Sequence, residues 1–315
     1  MLNRRHIREK VLKTLYAFFQ SGNSDIQVGE KELFHSIDKV YEIYLIYMSL
    51  LSEFRDAAET LIHERKQKHL PTAEDLNPSL HFMNNRIVEA VVRNSALNQL
   101  LEKNKVNWTG QQDLIRKLFM QFRTESTFVE YLAKADVSFE DDREIVFWIF
   151  ETIVFPSELF EQLLEERSIY WLDEIELMQS GVLKTIKQIK QENSAFFTLL
   201  PLQKESDEDR KFAKELFRLT IANSDEFQEE ISKRAANWEI ERVAKMDIIL
   251  MKMAICELCL FPSIPVKVTL DEYIELSKDY SSPQSKNFIN GILDKIVADF
   301  KQDKRIQKVG RGLVE

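Results

Sequence analysis

Arg4, Arg5 and Arg8 put three guanidinium groups within five residues at the start of the chain. A guanidinium fork matches carboxylates and phosphates and stacks on flat rings, so the chemistry on offer is anion recognition rather than bond making. On a helix these arginines fall within or beside the arc of Ile7, Val11, Leu12, Leu15, Phe18 and Phe19. Three unpaired cations on a buried face would be too costly. The pattern therefore predicts first turns that overhang the bundle, open to a phosphate backbone or an acidic partner, with a frayed, solvated terminus as the plain alternative. A second stretch of interest is the predicted helix that follows Ser282-Pro283 and carries Phe288 and Gly291. Phe288 sits at the edge of an apolar arc with Ile292 and Ile296, placed either to finish a core or to offer a stacking face. Gly291 costs a helix interior about 1 kcal/mol relative to Ala and would admit a neighbouring helix or a ligand to the backbone.

Nothing else in the chain suggests catalysis. There is no Gly-rich phosphate loop, nucleophile elbow or metal-spaced histidine pair; His6, His35, His63, His69 and His81 are scattered. Cys256 and Cys259, in Cys-Glu-Leu-Cys, share a helix face without a second pair or nearby histidine, and read as core residues. The chain is expected to be a non-enzyme without metal or cofactor.

These groups must be positioned by helices. Seven Gly and seven Pro in 315 residues, with 30% charged, favour long helices over a turn-rich β protein. No apolar run is long enough to span a membrane and the opening residues lack a signal-peptide pattern, so a cytoplasmic protein is expected. The net charge of −9 argues naively against nucleic acid, but its distribution does not. Basic residues gather in 1–20 and in 301–311, as Lys301, Lys304, Arg305, Lys308 and Arg311, whereas 124–179 holds fifteen acids against Lys134, Arg143 and Arg167. Such asymmetry concentrates positive field at the two ends.

Apolar periodicity predicts helices over about 5–20, 31–68, 83–104, 111–121, 125–134, 141–154, 157–167 and 171–191, with a loop at 70–78 and a linker at 201–209. Further on, Ser224 is placed to cap a helix, Asn237-Trp238 opens onto a core stripe, and Ser282-Pro283 starts a helix running to about Phe300. A shift of 67 positions superimposes Asp142-Arg143 on Asp209-Arg210, Phe150 on Phe217, Ser157 on Ser224, Phe160 on Phe227, Arg167 on Arg234, Trp171 on Trp238, Glu174 on Glu241 and Leu183 on Leu250, without a gap. The middle of the chain then reads as a diverged copy of the unit that ends it; two amphipathic stretches sharing a period is the alternative.

The C-terminal segment resembles the NusB transcription antitermination family. The resemblance is carried by Asn237-Trp238, Asp247, Leu250 to Leu258, Ile264 to Val268, Asp271-Glu272, Ile274 to Lys278 and Phe288 to Asp294, with Arg4 to Glu9 and Leu15-Tyr16 similar to the family's opening helix. It implies an all-α fold of NusB-like helical bundles: an opening helix in 1–22, a helical insertion over 23–206 holding a degenerate second NusB-like unit at about 81–190, a C-terminal domain over 207–300 and a basic tail over 301–315. The implied function is antitermination through boxA-type single-stranded RNA of ribosomal-RNA leader transcripts, together with the ribosomal protein NusE and the RNA polymerase antitermination complex. Carried over by position, Arg4, Arg5, Arg8, Tyr16, Lys286, Asn287, Phe288 and Asn290 would meet RNA, and Asp247 the protein partner. His6-Ile7, Met251-Lys252 and the insertion depart from the family pattern. A helical protein-interaction scaffold is the runner-up, and a methyltransferase with a NusB-like accessory domain a distant third.

Overall fold

Fifteen α-helices and no β-strand make up the regular structure of the described residues in the computed structural model, which are 1–22, 24–192, 197–203, 206–235, 243–282 and 285–313. The Asn237-Trp238, Glu241 and Pro283 readings lie outside them. The chain is all-α, and none of the described helices is long and apolar enough to cross a membrane. It divides into two compact units, one formed by Met1 with Asp38–Leu202 and the other by Leu2–Ile37 with Gln203–Glu315.

The first unit is built on helix α2 (Ile26–Lys66), which from Val40 to Phe54 buries residues on every side, including Ile43, Tyr44, Tyr47 and Leu51. A helix apolar all round must be enclosed by others. Around it lie α3 (Ala73–Leu76), α4 (Arg86–Arg93), α5 (Ser95–Lys103), α6 (Gln112–Arg123), α7 (Ser126–Ala133), α8 (Phe139–Trp148), α9 (Glu158–Arg167) and α10 (Ile175–Gln188). Tyr47 stacks on Phe160 at 5.1 Å and Phe54 meets Phe122 edge-on at 5.0 Å. Polar atoms of buried rings find partners: the Tyr44 hydroxyl lies 2.8 Å from Thr185 Oγ1, and Trp108 Nε1 donates to Ser49 Oγ at 2.9 Å.

Several sequence boundaries are corrected here. The single helix expected over 83–104 is two, because Asn94 ends α4 and its side chain accepts from Leu97 N–H at 2.9 Å to start α5. The loop over 70–78 contains α3, started by a capping box between Thr72 and Asp75. The helix over 141–154 begins earlier, at Phe139, and passes into a π-helical turn over Ile149–Val154.

Asn85 caps α4, and Arg86, the first residue of that helix, donates from Nε to Asp142, the fourth residue of α8, at 2.5 Å.

The second unit surrounds α13 (Lys245–Leu260), whose residues from Ile249 to Leu258 are all buried. Against α13 pack α1 (Arg4–Ser21), α11 (Ser206–Ala222), α12 (Ser224–Arg234), α14 (Val266–Tyr280) and α15 (Ser285–Gln302). Helix α1 ends on Gly22 in the left-handed conformation, φ 64°, which glycine adopts without steric penalty. Ser224 is itself helical, and rather than capping α12 its hydroxyl accepts from Lys252 Nζ at 2.8 Å. Asn3 caps α1, and Arg4, the first residue, lies 3.7 Å from Asp209, the fourth residue of α11.

Cys256 is buried and Cys259 half-buried, and burial raises both thiols, to about 12 and about 11. They are packed as protonated, unreactive side chains.

Candidate nucleic-acid interface

Helix α1 is started by its own polar residues. The Asn3 side chain accepts from Arg5 and His6 N–H, and His6 Nδ1 accepts from Asn3 N–H at 3.2 Å, a reciprocal cap in which histidine takes the place usual for Glu or Gln. This fixes where the three arginines fall around the helix.

They fall in three different environments. Arg4 is partly exposed, 3.7 Å from Asp209 and 3.8 Å from Glu208, with its guanidinium 5.0 Å over the Phe212 ring. Arg5 is 43% exposed and grips Glu272 with two hydrogen bonds of 3.0 and 3.2 Å. That hydrogen bonding raises its pKa above the ordinary arginine value. Arg8 is 2% exposed, and Nε and Nη2 donate to Glu257 at 2.8 and 2.7 Å. Burial opposes its charge, but the field and hydrogen bonds of Glu257 outweigh burial and raise the pKa.

The first turns of α1 therefore do not overhang the bundle, and Arg8 does not offer its charge to a ligand. The expectation treated a buried arginine as unpaired, whereas Arg8 has a carboxylate made for it. Glu257 also accepts from Thr269 Oγ1 at 3.0 Å and from the Tyr273 hydroxyl at 3.2 Å, so its lone pairs are filled as a buried carboxylate requires. In the sequence, Glu257 and Glu272 stand only within stretches that carry the family resemblance, and nothing there marks them or Phe212 as partners of the arginines. A signal was present for Glu257, a lone acid inside the apolar run Met253 to Leu258.

Tyr16 is 38% exposed. Lys286 and Asn287 are exposed on the first turn of α15, Phe288 is half-buried, and Asn290 is half-buried with its amide donating to Asp294 at 3.1 Å. The pKa of the Glu275 carboxylate is lowered first by the Lys278 hydrogen bond and further by the charges of Lys278, Arg5 and Lys286. Gly291 is exposed with open space where a Cβ would stand, so among the described residues no neighbouring helix approaches there. Asp247 is 3% exposed and accepts from Ser281, the residue that ends α14. In this position it holds α14 to α13 and presents no carboxylate to a partner.

Part of the basic tail is folded into the second unit. Arg305 lies 3.8 Å over the Phe300 ring and pairs with Glu226 at 2.5 Å and Glu230 at 3.2 Å. Lys308 Nζ donates to the carbonyls of Glu257 and Phe261 at 3.2 and 3.0 Å. Two of its five cations are thus used inside the unit. A groove of about 700 Å³ carries Arg4, Arg5 and Glu272 with Pro265 and Val268, and Arg311 lines it from the tail.

The NusB family model matches residues 166–298. The transcription antitermination protein NusB of Salinibacter ruber is 47% identical over 111 residues, covering 34% of this chain and 69% of that protein. The NusB protein of Chloroherpeton thalassium is 38% identical over 106 residues, covering 34% of this chain and 50% of its own length. That of Geotalea daltonii is 40% identical over 87 residues, covering 28% and 60%. No solved structure matches the chain significantly. With the family model matching 166–298 and a NusB protein 47% identical over 69% of its own length, the chain belongs to the NusB family.

Proposed function

We propose that this chain is a cytoplasmic transcription antitermination factor that binds boxA-type single-stranded RNA of ribosomal-RNA leader transcripts together with NusE, within the RNA polymerase antitermination complex. It acts by binding, without catalysis. The observation that carries this reading is the pair Arg4 and Arg5 held at the start of α1 in a groove on one unit of an acidic protein. Lys286 and Asn287 add exposed polar groups, and Tyr16 and Phe288 are the aromatic faces for unpaired bases. Arg8 supports the site from within by fixing α1 to α13.

Binding of a fluorescent boxA oligonucleotide, with and without NusE, tests the proposal over a range of salt concentrations. Replacing Arg4 and Arg5 together by Ala should weaken binding and flatten the log–log salt slope by about 1.4, on the single-strand value of about 0.7 per phosphate contact. An unchanged slope would remove these arginines from the site. A second reading is a protein-interaction scaffold, favoured by the bidentate hold of Arg5 on Glu272, since a surface that takes a carboxylate suits an acidic protein. Salt-insensitive or absent RNA binding would select it.

Residues about 81–190 are proposed to be a degenerate NusB-like unit that does not bind boxA. Support comes from matched positions: Asn85, Arg86 and Asp142 stand as Asn3, Arg4 and Asp209 do, and 142 and 209 are the positions related by the shift of 67. The second and fifth residues of α4 are Ile87 and Ala90, where α1 has Arg5 and Arg8.

A further inference from the structure

Residues 308–312 are tied down more firmly than a tail requires. Lys308 caps the last carbonyls of α13, where the helix dipole favours a cation. Val309 N–H donates to the Pro262 carbonyl at 3.0 Å, and Gly310 turns the chain at φ 55°. At Gly312 no side chain fits, because a Cβ would lie 2.0 Å from the Pro262 oxygen. These contacts fix the one residue between the two glycines. Arg311 is exposed and lines the groove that holds Arg4 and Arg5. Arg4 and Arg5 already face Asp209 and Glu272, whereas Arg311 makes no ion pair among the described residues. It lies beyond residue 298, where the family match ends.

We propose that the anchored segment 308–312 completes the RNA site, with Arg311 gripping a backbone phosphate of the strand that Arg4 and Arg5 contact. The inference rests on the RNA reading above. A phosphodiester is the chemistry that suits a guanidinium with no ion pair among the described residues, in a groove whose three other cations, Arg4, Arg5 and Arg8, already face carboxylates. Pro265 and Val268, the latter 42% exposed, give the same groove an apolar surface for a sugar or base.

The test uses the full chain and a fluorescent boxA oligonucleotide. Arg311→Ala should weaken binding about tenfold at moderate salt and lower the salt slope by about 0.7, the effect of one phosphate contact on a single strand. Lys301→Ala, a tail charge outside this groove, should leave both near the unaltered values. Gly312→Val keeps Arg311 but drives the segment off Pro262, and should reproduce the loss with the melting temperature of the main transition retained. The inference is overturned if Arg311→Ala binds with unaltered affinity and slope while the Arg4, Arg5 double variant is weakened. Failure of the unaltered chain to bind the oligonucleotide overturns the RNA reading and this inference with it.

Discussion

Arg8 and Glu257 are 249 residues apart in sequence and joined by two hydrogen bonds of 2.7 and 2.8 Å in a site where both are almost wholly buried. The pair locks the opening helix onto α13. Removing one partner of such a pair leaves an uncompensated buried charge, at a cost of about 3–5 kcal/mol. Arg8→Met should therefore lower unfolding free energy in urea by about that amount. Adding Glu257→Gln should recover part of the loss, because the orphaned carboxylate is gone while Thr269 and Tyr273 keep an acceptor. Equal stability of the single and double variants would deny the coupling. Arg8 is consequently a poor residue for probing RNA contact, since its loss acts through the fold.

Glu272 competes with any anion for Arg5, because its two oxygens occupy the same guanidinium fork that a phosphate would use. Glu272→Gln should weaken that hold and tighten RNA binding by about two- to fivefold, an exposed pair contributing on the order of 1 kcal/mol or less. The sign of the change is the informative part. Weaker RNA binding in this variant would mean that Glu272 positions Arg5 for the ligand rather than withholding it.

Asn287 and Gly291 lie four residues apart on α15, hence on one helix face, and both are exposed. With open space around a built Cβ, Gly291→Ala meets no steric obstacle and should stabilise the chain by about 0.5–1 kcal/mol through helix propensity. If RNA passes against this face, the added methyl should nonetheless reduce boxA affinity severalfold. A more stable variant with unaltered affinity would place the strand elsewhere.

The helical class was legible because Gly and Pro are scarce and apolar residues recur at helical spacing, as they do along α1 from Ile7 to Phe18. Breaks inside helical patterns were not, since Asn94 stops one helix and starts the next through its own side chain, with no Gly or Pro to mark it. The basic opening was legible as composition but misread as geometry. Periodicity places Arg8 on the buried arc without naming a partner 249 positions away, so burial looked unaffordable. The resemblance assigns Asp247 to a protein partner, and no sequence pattern reports that the Ser281 hydroxyl from the end of another helix takes up its carboxylate. The place of Arg311 depends on Gly312 meeting the Pro262 carbonyl, a relation of backbones that no side-chain pattern reports.

Arg86 and Asp142 repeat within the first unit what Arg4 and Asp209 do in the second, an N-terminal arginine of one helix answering the fourth residue of another. Arg86 has the fuller set of partners. Arg86 donates from its backbone N–H and Nε to Asp142 and from Nη2 to the Val137 carbonyl, and Tyr131 donates to the same aspartate. Arg86→Ala should thus destabilise the chain by about 1–3 kcal/mol, as for a lost hydrogen bond to a buried charge. Affinity for boxA should not change. A loss of RNA binding at full folding would show that the first unit contributes to the site after all.

His6 gives the opening helix a pH dependence. Its Nδ1 accepts the Asn3 N–H only while unprotonated, and burial, followed by the nearby Arg5 charge, lowers its pKa below the ordinary 6.5. Because the folded pKa is the lower one, the unfolded chain binds more protons as pH falls below about 6.5. The stabilisation is therefore present above that pH and lost as the pH descends through the folded value. His6→Gln keeps an acceptor that does not titrate there, as in the usual capping box. Thermal melts between about pH 7.5 and 5 should show a shallower decline for the variant than for the unaltered chain. Identical declines would assign the acid sensitivity to other groups and leave the cap without a role in it.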